Sequence, residues 1–234
     1  MNKFMCVALF IFSVGIGMGT MQGMKLQKSP ESPREKRLAN IKLFMQGMVP
    51  DQFKIGLDKD LPTIGKELTS EIAKGLNEKR ITQEMLLHPW GFSLIHLAAA
   101  CGCFEAVSLL LTAGWNVNTK TIHQETPLHL AAKYGNFSVV QLLLEHQADP
   151  NVTTEVTSLY TSGLDKDNHW TPLHYAAQNG YLKIVKFLYS GKSSKKIDLG
   201  IKDSRGFTAQ QIAEMAGHKK VANSLQNATL YRMI

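Results

Sequence analysis

A seven-residue phrase recurs along the second half of this chain and constrains its fold more than any other feature. It reads Thr-Pro-Leu-His-Leu-Ala-Ala from residue 126 and Thr-Pro-Leu-His-Tyr-Ala-Ala from residue 171. A close variant begins at residue 93, and a more diverged copy begins at residue 208. An apolar run follows each copy. Recurrence of this kind predicts an array of stacked units, because one such unit cannot bury its apolar face without a neighbour.

The spacing of the copies identifies the kind of array. The phrases begin 33, 45 and 37 residues apart. The phrase and the shortest period resemble the ankyrin repeat, over residues 88 to about 226. The resemblance implies an all-α solenoid of stacked helix-turn-helix units with short β-hairpin loops. We expect the array over 91–234, with repeats at about 91–123, 124–168, 169–205 and 206–228, and with insertions at 152–167 and near 192–196.

Several residues of the phrase have structural roles that elementary chemistry predicts. Proline in the first helical turn loses no hydrogen bond, and a glycine after the helix allows the left-handed backbone that ends it. The resemblance implies that the recurring histidine bonds to backbone and to the threonine of its own phrase. The residues assigned such roles are His96, Gly102, Thr126, Pro127, His129, Gly135, Thr171, Pro172, His174, Gly180 and Gly217.

The region before the repeats shows helical periodicity. Ile64, Leu68, Ile72 and Leu76 recur every four residues, and Thr82 is a candidate start for a second helix. A helical pair before a repeat array is typical of a cap, so residues 61–90 are predicted to form a helical N-terminal cap. Residues 21–60 contain Ser-Pro breaks and a basic stretch, which predict a flexible basic linker.

The first twenty residues admit two interpretations. Lys3 precedes sixteen uncharged and mostly apolar residues that end in small ones, which is the pattern of a secretory signal peptide. The uncharged run continues to Met24, about the length that crosses a bilayer, and basic residues follow it. A cleaved signal peptide and a membrane anchor with cytoplasmic repeats therefore both remain open for residues 1–20.

The net charge does not point to a nucleic-acid binder. The chain carries +7, with an isoelectric point near 9.3. Residues 1–20, 21–90 and 91–234 contribute +1, +3 and +3, so the excess is diffuse when it is divided at these boundaries. We expect no nucleic-acid partner, whereas the apolar N-terminal segment leaves contact with a membrane open.

Catalytic, metal and cofactor motifs are missing from the sequence. No nucleophile elbow, His-Glu-x-x-His or phosphate-binding loop is present, and the recurring glycines fall at repeat turns. Three cysteines, with no second Cys or His pair of suitable spacing, predict neither a disulfide scaffold nor a zinc site. The prediction is a protein that is not an enzyme and has no cofactor. An enzyme hidden in residues 25–90, with the repeats as its targeting module, is a further alternative.

Protein binding is what the resemblance implies, and two sets of positions are candidates for it. One set directly precedes each phrase, at the junction of hairpin and helix, and comprises Phe92, Glu125, Trp170 and Phe207. Three aromatic side chains of four suggest an interface, because aromatic residues dominate binding hot spots. Trp170 and Tyr134 are favoured as interface residues, whereas Phe92 and Phe207 fit an interface or the core equally well.

The other set follows each Ala-Ala pair and is expected to face a groove. The candidate binding residues in this set are Cys101, Lys133, Tyr134, Gln178, Asn179 and Met215. Together these features predict a monomeric, non-enzymatic ankyrin-repeat protein that binds an unidentified protein partner. The N-terminal leader adds a resemblance to exported or effector-type bacterial ankyrin proteins, so the expected location is periplasmic, secreted or host-directed.

Overall fold

The computed structural model describes residues 61–83, 91–155, 169–190 and 196–233. Nine α-helices lie in these ranges, and no β-strand does. The helices are α1 (Leu61–Asn77), α2 (Leu94–Cys101), α3 (Phe104–Thr112), α4 (Pro127–Tyr134), α5 (Phe137–Glu145), α6 (Pro172–Gln178), α7 (Leu182–Tyr189), α8 (Ala209–Met215) and α9 (Lys219–Met233). Residues 1–60, which contain the leader and the linker, lie outside the described residues.

The helices form two layers along the array. The first helices of the repeats, α2, α4, α6 and α8, contact one another in that order, and the second helices α3, α5, α7 and α9 do the same. Each first helix also packs on the second helix of its own repeat. The core lies between the layers and contains the apolar residues of the phrase, such as Leu128 and Leu173, with 0% and 2% of their surface exposed. The all-α solenoid predicted from the repeats is confirmed.

The predicted start and stop signals explain where the first helices begin and end. Thr126 and Thr171 have extended backbones directly before α4 and α6, and a proline occupies the first helical turn of both. Gly135 and Gly180 follow these helices with φ of 73°, a left-handed conformation that ends a helix. The short sequence phrase therefore specifies a helix of about two turns with defined ends.

The loops between repeats close as hydrogen-bonded hairpin tips. The backbone N–H of Thr121 donates to the carbonyl of Glu125 at 3.0 Å, and that of Asp203 donates to Phe207 at 2.9 Å. A residue with positive φ completes each tip, namely Gln124 and Gly206. Only an isolated bridge, Lys202 with Thr208, extends a tip, so the described hairpins are turns rather than ribbons.

The insertion predicted at 152–167 falls inside one of these tips. The backbone N–H of Thr154 donates to Trp170 at 2.9 Å, just as Thr121 donates to Glu125 in the preceding hairpin. Thr154 and Trp170 are sixteen positions apart, whereas Thr121 and Glu125 are four apart. The extra residues therefore lie between two positions that are hydrogen-bonded as in the preceding hairpin, and the helices on either side keep their register. Residues 156–168 themselves lie outside the described ranges, as do residues 191–195 of the second insertion.

Helix α1 lies where the N-terminal cap was expected. Ile64, Leu68 and Ile72 are fully buried, and α1 packs on α3 and α2. Its main neighbour is the second-helix layer, so α1 extends that layer by one helix at its N-terminal end. The second helix expected from Thr82 is not described, because residues 84–90 lie outside the described residues. Within the described part of the chain, no helix is long and apolar enough to span a bilayer.

Candidate functional site

The recurring histidines join each repeat to the next hairpin. The Nδ1 atom of His129 accepts a hydrogen bond from the backbone N–H of Thr126 at 3.0 Å, so the proton of a neutral ring resides on Nε2. That Nε2 lies 3.0 Å from the carbonyl oxygen of Val152 and 3.1 Å from that of Trp170, to which it donates. His96 makes the same contacts with Ser93, Thr119 and Glu125.

His174 and Gln211 continue this row in the last two repeats. His174 Nδ1 accepts from the backbone N–H of Thr171 at 3.1 Å. In the worn fourth phrase the backbone N–H of Thr208 donates to Gln211 Oε1 at 2.9 Å, so the amide replaces the imidazole as acceptor. Burial lowers the pKa of His96, His129 and His174 to about 4, which keeps all three rings neutral. A neutral row of hydrogen-bonded side chains has a structural role.

A second set of contacts between repeats was missed by the sequence reasoning. The side-chain amide of Asn136, which directly follows Gly135, donates to the carbonyls of Ala99 and Ala100 at 2.7 and 2.8 Å. His218, which directly follows Gly217, contacts the carbonyl of Gln178 through Nε2 at 3.1 Å. These side chains bond to carbonyls at the ends of α2 and α6, which have no partner within their helices.

Tyr181 takes the equivalent position in the third repeat. A Cβ atom added to Gly135 would lie 2.6 Å from the Tyr181 ring, so the glycine leaves the space that the ring occupies. The signal was present in the sequence, since each of these three residues follows a recurring glycine. Their types differ, however, and nothing in the sequence marked them as one set.

The structure changes the interpretation of the aromatic positions before each phrase. The expected exposure of Trp170 is wrong, because only 3% of its surface is accessible. Its ring packs edge-on against Tyr175 and is stacked with His174, with centroid distances of 5.0 and 6.1 Å. Phe92 is 7% exposed and meets His96 edge-on, so it also belongs to the core. Phe207 is half-buried beneath the guanidinium of Arg205.

Cys101 was expected in the groove and is buried instead. Its thiol and that of Cys103 are both reduced and have 3% and 5% of their surface exposed. A hydrogen bond with Cys103, followed by burial, raises the pKa of Cys101 well above its ordinary value. A buried, protonated thiol is neither a reactive nucleophile nor a contact for a partner.

Glu125 forms the centre of a charged cluster between the second and third repeats. Its Oε1 lies 3.6 Å from Lys133 Nζ and accepts a long hydrogen bond of 3.4 Å from the Tyr175 hydroxyl. Lys133 Nζ also lies 5.0 Å from the centre of the Tyr175 ring, a cation–π contact. These three residues are named here the Glu125 cluster.

The electrostatics of this cluster are set by its neighbours. Burial would raise the pKa of Glu125, but the charge of Lys133 lowers it below its ordinary value. The carboxylate is therefore charged at neutral pH, although the residue is buried and only 9% of its surface is exposed. The buried carboxylate of Glu125 thus holds the ammonium group of Lys133 in place. Lys133, with 34% of its side chain exposed, is the residue of the Glu125 cluster that faces solvent.

The remaining groove positions form a row on the first-helix layer, with one or two residues from each of three successive repeats. Tyr134 is half-buried, Gln178 and Asn179 are exposed, and Met215 has 57% of its surface accessible. The Asn179 amide donates to the carbonyl of Tyr175 at 3.0 Å and to that of Lys133 at 3.3 Å, which links the ends of α4 and α6. We call this row, Lys133, Tyr134, Gln178, Asn179 and Met215, the first-helix row.

Nothing in the described ranges gathers groups for metal chemistry. Among residues 61–83, 91–155, 169–190 and 196–233, no three His, Cys, Asp or Glu side chains are placed to hold a metal ion. Among the described residues the other buried carboxylate is that of Asp203, whose oxygens accept from Arg205 side-chain nitrogens at 2.7 and 2.9 Å and from the backbone of Phe207. Burial would raise the pKa of Asp203, but these hydrogen bonds outweigh it and lower the pKa below its ordinary value. Its role is to hold the third hairpin tip.

Comparison with known proteins agrees with the geometry of the array. A family model described as ankyrin repeats in three copies matches residues 63–154 and 155–231, and its first match begins within α1. The chain is 34% identical over 77 residues to the mouse protein phosphatase 1 regulatory subunit 12A. The matched stretch covers 33% of this chain and 8% of that protein.

Other relatives match over similarly short stretches. The human ankyrin repeat and SOCS box protein 3 is 41% identical over 75 residues, 30% of this chain and 14% of that protein. The E3 ubiquitin-protein ligase KEG of Arabidopsis thaliana is 40% identical over 62 residues, 26% and 4% of the two chains. The chain therefore covers only a small part of the length of these relatives.

Proposed function

Because this chain belongs to the ankyrin-repeat family, whose repeats form protein–protein interaction modules, we propose that it binds a protein partner through the first-helix row. The observation that carries the proposal is the continuity of this row. Lys133, Gln178 and Met215 occupy successive repeats on one layer, and each reaches solvent. A partner laid along the layer would contact all three repeats.

The chemistry of the row favours a partner surface with both polar and apolar parts. Gln178 and Asn179 offer amide donors and acceptors, and the single ammonium of Lys133 is matched by Glu125. Met215 adds a flexible apolar side chain, which is frequent at protein-binding surfaces. A partner that presents hydrogen-bonding groups beside an apolar side chain fits this arrangement better than a strongly acidic one.

The rigidity of the supporting residues also favours binding. Trp170, Tyr175 and His129 pack beneath the row through edge-on ring contacts at 5.0 and 6.1 Å. A preorganised surface loses less conformational entropy when a partner docks. The buried aromatic residues thus support the binding surface and do not themselves form it.

The experiment is affinity capture with the full chain, followed by titration of the captured protein. Tyr134→Ala combined with Met215→Ala should weaken binding by about 2 kcal/mol or more, as hot-spot truncations do. Phe104→Ala is the matched control, since Phe104 is a large apolar residue, 41% exposed, on the second-helix layer. Equal binding by the double variant and the wild type would contradict the proposed surface.

Export of the protein is the finer part of this proposal and is supported by the sequence of residues 1–20. Edman sequencing of the protein isolated from its own cells distinguishes the two interpretations of that segment. A mature protein that begins after the apolar run is the expected result. A start at Met1 or Asn2 would contradict export and support a membrane-tethered scaffold with cytoplasmic repeats.

A further inference from the structure

The charge of the array is divided sharply between its two halves, although its sum is small. Residues 91–168 carry three basic and seven acidic side chains, whereas residues 169–234 carry ten basic and three acidic ones. The N-terminal half is therefore −4 and the C-terminal half +7. The basic excess of the whole chain therefore lies in the last two repeats. It is not visible when the charge is summed over residues 91–234, because the acidic N-terminal half of the array offsets it.

The repeat register places part of this charge on one layer. The third residue after each recurring glycine is exposed in all four repeats and lies in the first turn of a second helix. It is Glu105 in α3, Ser138 in α5, Lys183 in α7 and Lys220 in α9. The outer surface of the second helices thus changes from acidic to basic along the array.

Neighbouring residues enlarge the basic end. Lys186 lies one turn after Lys183 on the same side of α7, and Lys219 precedes Lys220 at the start of α9. All four lysines are exposed, helices α7 and α9 contact each other, and neither helix contains a carboxylate. We call Lys183, Lys186, Lys219 and Lys220 the lysine face.

The placement of these lysines opposes helix stability. Lys183, Lys219 and Lys220 lie in the first turns of their helices, where the aligned peptide dipoles favour negative charge. Glu105 satisfies that preference at the equivalent position of α3. Among the described residues no carboxylate forms an ion pair with the lysine face. Charges that oppose their own helix dipoles and have no ion-pair partner in the described part of the array indicate an anionic ligand.

An exposed apolar residue shares this surface. Leu230 is 55% exposed and lies on the same stripe of α9 as Lys219, through Asn223 and Gln226 at spacings of four and three residues. Eleven residues of helix separate Lys219 from Leu230, about 16 Å at 1.5 Å per residue. Cations and a large apolar side chain along one side of a helix are the combination that binds at a membrane interface.

We propose that the lysine face, together with Leu230, docks the array on an anionic membrane surface. Lysine is a compact point charge suited to the diffuse potential of acidic headgroups. Recognition of phosphopeptides and of DNA bases relies largely on the forked guanidinium group of arginine, and single-stranded nucleic acids stack their bases on aromatic side chains. Neither group is found among the exposed residues described on α7 and α9. The docking surface lies on the layer opposite the first-helix row, so it goes beyond the proposed protein binding.

Vesicle co-sedimentation of the full chain tests this proposal. The protein should bind vesicles of equal parts phosphatidylcholine and phosphatidylserine more tightly than vesicles of phosphatidylcholine, and salt should reduce the difference. Lys183→Gln with Lys220→Gln should lower the anionic partition coefficient by about 25-fold, because each lysine near such a surface contributes roughly fivefold. Binding to neutral vesicles should not change, since the apolar N-terminal segment is identical in all variants.

A control pair separates the surface from net charge. Lys120→Gln with Lys202→Gln removes the same charge from exposed positions near the hairpin tips and should leave anionic binding within about twofold of wild type. Leu230→Gln should weaken vesicle binding without altering its salt dependence. Lys183→Gln with Lys220→Gln should melt at or slightly above the wild-type temperature, because glutamine removes charges that oppose the helix dipoles. The other variants should melt as the wild type does, because the substituted side chains are exposed.

Three outcomes would overturn the proposal. One is equal binding of the wild type to anionic and neutral vesicles. Another is an equal loss for the two lysine pairs, which would reduce the effect to net charge. The last is unchanged vesicle binding by Lys183→Gln with Lys220→Gln while binding to poly-glutamate or to a DNA duplex is lost, which would assign the face to an acidic protein or to nucleic acid.

Discussion

Trp170 packs edge-on against Tyr175, with 5.0 Å between their ring centroids, and this contact connects a hairpin tip to the helix that follows it. Trp170→Ala should therefore reduce the free energy of unfolding by about 3–5 kcal/mol, the range for large aromatic truncations in a core. Chemical denaturation of the variant measures this loss. Met215→Ala, on an exposed side chain of the first-helix row, should change the same quantity by less than about 0.5 kcal/mol. An unaltered denaturation midpoint for Trp170→Ala would mean that the ring is not part of the core.

Asn136→Ala removes the hydrogen bonds that join the second repeat to the carbonyls of Ala99 and Ala100. The carbonyl of Ala100 then loses its side-chain donor, and that of Ala99 keeps only the backbone N–H of Gly102, which should cost about 1–3 kcal/mol of unfolding free energy. The measurement is again equilibrium denaturation. Asn223→Ala is the matched control, since Asn223 is exposed on α9, and its effect should stay within about 0.5 kcal/mol. Equal effects of the two substitutions would contradict a stabilising role for the Asn136 amide.

Gly135→Ala and Gly114→Ala separate backbone strain from steric conflict. Both glycines have positive φ, 73° and 85°, so each alanine should cost about 1 kcal/mol for the left-handed conformation. A Cβ atom at Gly114 meets nothing within 4 Å, whereas at Gly135 it would lie 2.6 Å from the Tyr181 ring. Gly135→Ala should lower the melting temperature distinctly more than Gly114→Ala. Equal shifts would show that Tyr181 moves aside without cost.

The buried histidines predict that the fold weakens in mild acid. The pKa of each ring is about 4 in the folded chain against an ordinary value of 6.5, so between these values the unfolded chain binds the extra protons. Stability is therefore complete above pH 6.5 and falls as the pH drops toward 4, by about 2 kcal/mol for each histidine between pH 7 and pH 5.

Denaturation curves recorded across this pH range measure the slope. His129→Gln supplies the control, because Gln211 shows that an amide can accept the same backbone hydrogen bond at the equivalent position. This variant should lose about one third of the pH dependence, since one of three titrating rings is removed. A stability that is flat between pH 7 and pH 5 would contradict burial of the neutral rings.

The repeated phrase was sufficient to predict the fold, because its signals act locally. Thr126 and Pro127 start a helix and Gly135 ends it through backbone geometry that depends on few neighbours. The period then requires stacking, since one helix pair leaves its apolar face exposed. The candidate site was harder to predict. Lys133, Gln178, Asn179 and Met215 reach solvent as expected, whereas Cys101 and Trp170 do not. Phe92, for which an interface and the core were equally open, lies in the core.

The sequence by itself thus determined the repeat units, their helix ends and their order, since these follow from local conformational preference and from apolar periodicity. Only the tertiary structure decided which side chains a partner can reach. Burial of Trp170 depends on Tyr175 and His174 folding back over its ring, and the charge of buried Glu125 depends on Lys133 lying beside it. The lysine face likewise exists because α7 and α9 pack side by side and bring Lys183 and Lys220 onto one surface, although they are distant in sequence.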